Sequence, residues 1–187
     1  MNGQFIRVSG KWFRVSLPPM EKAYIGIGGN LGRRERFIEA AIRGLGSGGK
    51  VTRTSRWYET APWKMEDAPD FINLAVEFET SLSPEQVLAL CLSVERKLGR
   101  RRDQRLGYAS RTIDLDVLLY GDAVIALPEL DIPHPGIADR RFVLEPLCDL
   151  IPMFVHPTLG KTLVDLREQS LDQSEVSIWE SPTDTSA

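Results

Sequence analysis

Asp114 and Asp116 stand two residues apart in the run Arg111-Thr112-Ile113-Asp114-Leu115-Asp116-Val117-Leu118-Leu119-Tyr120. The apolar residues around them mark a mostly buried strand. Strand side chains alternate between faces, so both carboxylates point the same way, with Cβ atoms roughly 7 Å apart. Two carboxylates on a buried strand are costly unless cations hold them. Candidate cations stand just upstream: Arg100, Arg101, Arg102, Arg105 and Arg111. Paired carboxylates beside an arginine cluster suit Mg2+ on one side and polyphosphate on the other. The same residues also suit a purely structural Asp–Arg network, and strand geometry alone does not separate the two.

The chain has 187 residues, enough for one domain with a real core. Its 42% apolar and 26% charged residues are typical of a soluble globular protein. A net charge of −3 argues against a general nucleic-acid binder, so the arginine cluster is a local feature. Cys91 and Cys148 lie in apolar helical runs with no CxxC spacing, and both read as buried thiols of a reducing, cytoplasmic compartment. No apolar run approaches the length of a membrane span, and the N-terminus lacks the apolar region of a signal peptide.

The elements that must position these residues follow from periodicity. Residues 1–22 form an N-terminal extension of uncertain structure, in which Phe5–Val8 and Trp12–Val15 could pair as a hairpin. The main domain is expected at 23–168, and the polar tail 169–187 is expected to be disordered. Ala23–Gly28 reads as a buried strand ending in a Gly-Gly-Asn turn, with Asn30 capping a helix over Arg33–Leu45. Val51–Tyr58 and Phe71–Thr80 read as strands, and Thr60–Asp70 as a loop. Ser83-Pro84-Glu85-Gln86 predicts a capping box opening a helix that runs to Leu98 and stops at Gly99. The arginine loop, the Asp-Leu-Asp strand and a helix at Asp139–Leu147 follow. This order predicts an α+β, ferredoxin-like antiparallel sheet with helices packed on it, elaborated to three αβα layers.

Two phosphate-loop look-alikes fail. Gly44–Val51 nearly matches GxxxxGK[ST], but Val51 has no hydroxyl, and a helix precedes the loop where a strand should. Gly26–Gly32 has Leu31 where a dinucleotide fingerprint needs its third glycine. Of the two histidines, His156 reads as structural. His134, in the stiff and exposed segment Ile132-Pro133-His134-Pro135, gains interest from Arg140-Arg141-Phe142 nearby. Asn73 lies on a strand, where its amide offers a donor and an acceptor side by side, a pairing suited to a planar heterocycle.

From about Ala23 to Leu166 the chain resembles the 6-hydroxymethyl-7,8-dihydropterin pyrophosphokinase family. The resemblance rests on Ala23–Gly32, Tyr58-Glu59-Thr60-Ala61-Pro62, Asp70-Phe71-Ile72-Asn73, Glu95 through Arg100, Arg111–Asp116, Ile132–Pro135 and Arg140–Leu147. It implies an ATP-dependent diphosphotransferase of folate biosynthesis that moves the pyrophosphoryl group of ATP to a hydroxymethyl pterin. By that resemblance Asp114 and Asp116 bridge two Mg2+ ions. Arg100 and Arg111 act with them in catalysis by closing over the phosphates. Glu95, Arg102, His134 and Arg140 complete the ATP contacts, with Glu95 on the adenosine side. Thr60, Pro62, Trp63, Phe71, Asn73 and Phe142 hold the pterin. The partners implied are these small molecules, with no nucleic acid and no membrane, acting on a monomer. The chain departs from the family pattern in three places. Gly29 replaces a usual serine. The arginine loop is one residue longer than common, placing Tyr108 where an aromatic often closes over the site. Leu92 stands where some members carry a polar contact.

Two other classes use similar residues. An RNA-binding module on this fold would need exposed aromatics on its central strands. A two-metal nuclease would share the carboxylates. Only the pyrophosphokinase needs its arginine loop to exclude water from ATP. Hydrogen exchange over residues 99–110 is therefore expected to be fast in the free protein and slowed when Mg2+-ATP and pterin are bound together. Equal protection in both states would favour the static Asp–Arg network.

Overall fold

Ala23, Ile25 and Ile27 give one strand a wholly apolar face, while Tyr24, Gly26 and Gly28 fall on the other. That strand organises the fold. The computed structural model describes residues 3–8, 11–16, 19–65, 67–100 and 109–181. In chain order the elements are β1 (Gly3–Val8), β2 (Lys11–Ser16), β3 (Glu21–Gly29), α1 (Arg34–Leu45), β4 (Gly49–Thr54), β5 (Tyr58–Thr60), β6 (Phe71–Thr80), α2 (Pro84–Lys97), β7 (Asp114–Tyr120), β8 (Ile125–Leu127), β9 (Leu130–Ile132), α3 (Arg141–Leu150), α4 (Leu163–Glu168) and β10 (Val176–Ile178). The β1–β2 hairpin forms its own two-stranded sheet.

The central strands run β7-β3-β6-β4, each antiparallel to its neighbour, which is the ferredoxin-like order. The apolar face of β3 joins Leu74, Val76 and Phe78 of β6 and Leu115 and Val117 of β7. Against it pack Ile38, Ala41 and Leu45 of α1 and Val87, Cys91 and Val94 of α2. The opposite face carries Tyr24 and Ala75, covered by Leu144, Leu147 and Leu150 of α3 and Leu163 and Leu166 of α4. Register slips between Tyr24 and Ile25, making Leu118 an extra residue in β7. Both Leu118 and Leu119 consequently pack into this second layer. The expected three layers are present.

The signals at the start of α2 held to the residue, and the helix ends at Lys97, one residue short of the expected Leu98. Ser83 accepts from Gln86 N and the Gln86 side chain accepts from Ser83 N, with Pro84 opening the helix. Other expectations are corrected. The strand expected over 51–58 breaks at Ser55. There the main-chain N–H donates to Ala75 O at 2.9 Å, while Ser55 Oγ accepts from Ala75 N at 2.9 Å. A side-chain oxygen thus replaces a carbonyl in the ladder, and β4 and β5 share one edge of β6. Asn30 does not cap α1, whose preceding residue Arg33 makes no side-chain cap. The helix expected at 139–147 runs Arg141–Leu150, and it is not the last: the β8–β9 hairpin precedes it and α4 follows it, neither announced by the sequence. The tail is ordered in part: Val176–Ile178 pairs with β5, and Trp179 stacks on Trp57 with centroids 5.3 Å apart.

The end of α3 is tied to the sheet by charge. Asp149 accepts from Arg56 N at 3.0 Å, from the Arg56 guanidinium at 2.6 Å and from Tyr58 OH at 2.9 Å. Burial opposes the charge on Asp149, but the hydrogen bonds from Arg56 and Tyr58 outweigh it and hold the carboxyl below its usual range. A depressed carboxyl adds stability above its unfolded value, near 4, and loses it as pH falls through the folded value. Asp149→Ala is expected to cost about 2–3 kcal/mol in urea unfolding at pH 7. The difference from wild type should shrink as pH falls below about 4, where the unfolded carboxyl protonates first, and vanish once pH passes the lower native value.

Candidate active site

α3 covers only part of its sheet face, and the uncovered part is a cleft of about 230 Å³. Strand register builds its floor. Directly opposed residues of antiparallel strands share a face, so Asn73, Gly28 and Asp114 form one row, and Ala75, Gly26 and Asp116 the next. Two strand spacings put the amide of Asn73 about 10 Å from the carboxylate of Asp114. The β3 positions in both rows are glycine, and a side chain there would displace a neighbour. A Cβ on Gly28 would lie 2.3 Å from Asn73 Oδ1, and one on Gly26 would lie 3.2 Å from Leu118 Cδ1.

At the anionic end, Arg100 bridges Glu95, at 2.5 Å, and Asp114 Oδ1. Arg111 reaches Asp114 Oδ2 at 2.6 Å. Its guanidinium lies over the Phe71 ring, 5.5 Å from the centroid. Arg111 Nε is buried with no hydrogen-bond partner among the described residues. The carboxyl of Asp116 is pushed up to about 7, first by burial and then by the negative Asp114, against the pull of Arg111 and Arg100. His134 lines the cleft half-buried rather than exposed. Its Nδ1 accepts from Gly136 N at 3.0 Å, which leaves the proton of the neutral ring on Nε2. Burial, then the positive Arg140, lowers its basicity and favours that neutral form. Arg140 lies so close to the Gly136 backbone that a Cβ there would meet its guanidinium carbon at 2.6 Å.

At the other end the walls are aromatic. Trp63 and Phe142 meet edge to face with centroids 6.0 Å apart, and Phe71 closes the base of this half. Asn73 Nδ2 donates to Thr60 Oγ1 at 2.8 Å, which fixes the amide and leaves its oxygen above Gly28. A flat apolar slot with an oriented amide can grip a planar heterocycle and read its edge.

The cleft gathers Thr60, Trp63, Phe71, Asn73, Arg100, Arg111, Asp114, Asp116, His134, Arg140 and Phe142. Pro62 is not among its lining residues, and Ala61 and Met65 stand there instead. Glu95 is 1% exposed and faces the strand rather than the cleft, accepting from Leu115 N at 2.9 Å and holding Arg100. A carboxylate so enclosed acts on the cleft through Arg100. Arg102 and Tyr108 lie outside the described residues. Sequence reasoning missed Asn30, which is 3% exposed. Its Nδ2 donates to Pro69 O and to Ser110 Oγ, and its Oδ1 accepts from Arg111 N at 2.8 Å. It therefore staples Arg111 to the end of β3. Gly29 also has a physical reason, since a Cβ there would lie 2.4 Å from Thr112 O.

Comparison with known proteins agrees with this geometry. Residues 24–152 match the family described as 7,8-dihydro-6-hydroxymethylpterin-pyrophosphokinase. The 2-amino-4-hydroxy-6-hydroxymethyldihydropteridine pyrophosphokinase of Bacillus subtilis is 43% identical over 130 residues, 68% of this chain and 77% of that protein. The protein of that name from Synechocystis is 40% identical over 149 residues, 79% of this chain and 75% of that one. The folic acid synthesis protein fol1 of Pneumocystis carinii is 40% identical over 153 residues, but this chain spans only 20% of its length. The crystal structure of Plasmodium falciparum HPPK-DHPS with pteroate aligns with a TM-score of 0.65 over 80% of this chain and 42% of that one, at 18% identity, a likeness of fold. With its carboxylate pair, arginines and amide-bearing aromatic slot in one cleft, and with this match across the domain, the chain belongs to the 7,8-dihydro-6-hydroxymethylpterin-pyrophosphokinase family.

Proposed function

We propose that this chain transfers the pyrophosphoryl group of ATP to the hydroxymethyl group of 6-hydroxymethyl-7,8-dihydropterin, in folate biosynthesis. The observation that carries the reading is the row Asn73–Gly28–Asp114. It sets an amide suited to a heterocycle edge about 10 Å from a carboxylate suited to phosphate chemistry, with bare backbone between. A pterin lying across Gly28, its ring between Phe142 and Phe71, would present its hydroxymethyl arm toward Asp114 and Asp116. The hydroxyl oxygen bonds to the β-phosphorus, the bond from that phosphorus to the AMP oxygen breaks, and the hydroxyl proton is released.

The residues fit Mg2+. Asp114 and Asp116 offer hard oxygen donors on one face, and a buried carboxyl raised toward neutrality gains from a nearby cation. Two ions held by this pair would neutralise charge on the phosphates. The protein's own part is electrostatic and positional. Arg100 and Arg111 already converge on Asp114, and Arg111 Nε, without a partner among the described residues, is a further donor for a phosphate oxygen. The Nε2–H of neutral His134 and the Arg140 guanidinium complete the donor set, and Arg102 joins it by resemblance. Thr60 and Trp63 border the pterin and exclude water. The reading includes a monomer, and the buried thiols of Cys91 and Cys148 suit the cytoplasm. Among the described residues no helix is long and apolar enough to cross a membrane. The RNA-binding alternative is disfavoured because the central strand β7 presents Asp114 and Asp116 to the cleft, carboxylates that repel phosphate unless a cation is bound. AMP release from ATP only when hydroxymethyl pterin is added tests the reading and separates it from a nuclease.

Asp116→Ala is expected to lose about 3–5 kcal/mol of transition-state stabilisation and leave almost no turnover, while the protein still folds. Near wild-type AMP release would exclude the metal assignment. Asn73→Ala is expected to weaken pterin binding at least about tenfold, with ATP affinity little changed. Gly28→Ala should do the same by pushing the Asn73 amide aside, and calorimetry with each ligand separately would reveal the split.

A further inference from the structure

The segment after α4 touches both walls of the aromatic half of the cleft. Its first contact is at α3. The residue preceding that helix, Arg140, makes no side-chain cap. Asp172, thirty-one positions away from Arg141, supplies one instead, its Oδ2 accepting from Arg141 N at 2.8 Å. The Asp172 carboxylate is itself held in place, since its Oδ1 accepts from Ser174 N at 2.9 Å and from the Ser174 hydroxyl. A carboxylate there satisfies an otherwise open N–H and complements the positive end of the helix. The first turn it secures carries Phe142, with Arg140 just ahead of it.

The second contact is at β5. Val176 pairs with Thr60, Ser177 with Glu59 and Ile178 with Tyr58. Trp179 N donates to Trp57 O at 2.9 Å, and the two indoles stack. β5 is a three-residue strand, and Thr60 at its end receives the Asn73 amide. Without β10 this short strand would be the open edge of the sheet. The segment lies beyond residue 152, where the family match ends.

We infer that residues 170–179 form a positioning strap for the heterocycle half of the site, with Asp172 and Trp179 as its two anchors. Asp172 fixes the helix turn that presents Phe142. Trp179 fixes β5, and through Thr60 it fixes the orientation of Asn73. The strap touches neither Asp114 nor Asp116, so its effect falls on the pterin and not on the phosphates. The inference rests on the assignment of Asn73 and Phe142 to the pterin.

The test compares full-length wild type with Asp172→Ala, Asp172→Asn, Trp179→Ala and Asn73→Ala. Pterin and ATP affinities are measured separately by calorimetry, together with kcat, KM and Tm. Asp172→Ala and Trp179→Ala should each weaken pterin binding about five- to twentyfold and raise its KM, with ATP affinity held within about twofold. Asp172→Asn keeps one oxygen to accept from Arg141 N but turns its NH2 toward Ser174 N, so it should recover part of the loss. Wild-type pterin affinity in both strap variants, alongside a loss in Asn73→Ala, would overturn the strap and leave the pocket assignment standing. Unchanged affinity in Asn73→Ala would overturn the pocket assignment itself. Equal losses for pterin and ATP in the strap variants, or a loss in Asp172→Asn as large as in Asp172→Ala, would reduce the segment to general stability and overturn the proposal.

Discussion

Arg100 sits between two carboxylates, Glu95 on α2 and Asp114 on β7, with only 12% of its side chain exposed. Glu95 also accepts from the backbone of β7 at Leu115. One guanidinium thus joins a helix of the first layer to the strand that lines the cleft. In so enclosed a place each of these groups would be strongly disfavoured alone. Asp114 is shared further with Arg111, which is fixed through its backbone by Asn30. The cluster is thus an Asp–Arg network, and under the function proposed above the same arginines would meet the phosphates of the ligand. The two readings that strand geometry could not separate are compatible with one arrangement. The raised carboxyl of Asp116 and Arg111 Nε, which has no partner among the described residues, lie on the cleft side of that network.

The sheet divides its labour by face. The face toward α1 and α2 is closed by aliphatic side chains, several with no exposure at all. The other face is covered by α3 and α4 only where Tyr24, Ala75 and Leu118 stand. Beyond them β3 lines the cleft with Gly26, Ile27 and Gly28, and no side chain stands at Gly28 between Asn73 and Asp114. Asp149 ties the far end of α3 to β5, and Asp172 caps its near end. The helix whose first turn carries Phe142 is consequently held at both ends by carboxylates from elsewhere in the fold. A second buried carboxylate, Glu77, plays a comparable part on the same sheet face. Burial opposes its charge, but Thr52, Lys22 and Tyr24 hydrogen-bond to it and keep its carboxyl below the usual range.

By itself the sequence determined the local elements and the chemistry. Period-two alternation placed Asp114 and Asp116 on one face, and Ser83-Pro84-Glu85-Gln86 marked the start of α2. These signals are legible because strand alternation and helix capping depend on near neighbours. The order of elements predicted the antiparallel sheet for a related reason, since few topologies satisfy short connections and hydrophobic layering together. Thr60, Phe71, Asn73, Asp114 and Asp116 meet in one cleft because they sit on strands whose register is set by that same alternation.

Only the tertiary structure decided the partnerships between distant segments. Asn30 looked like a helix cap from its neighbours, yet its amide joins Pro69, Ser110 and Arg111. Glu95 looked like a ligand contact, yet it lies under Arg100 behind the strand. The tail looked disordered because a three-residue strand has no readable period. Its order comes from the open edge of β5, the exposed N–H at the start of α3 and the face of Trp57, all of them far away in sequence. A lone hydrogen-bonding side chain in a sequence carries no record of which distant backbone group it will meet. That choice is made when packing brings the segments together and every buried polar group must find a partner.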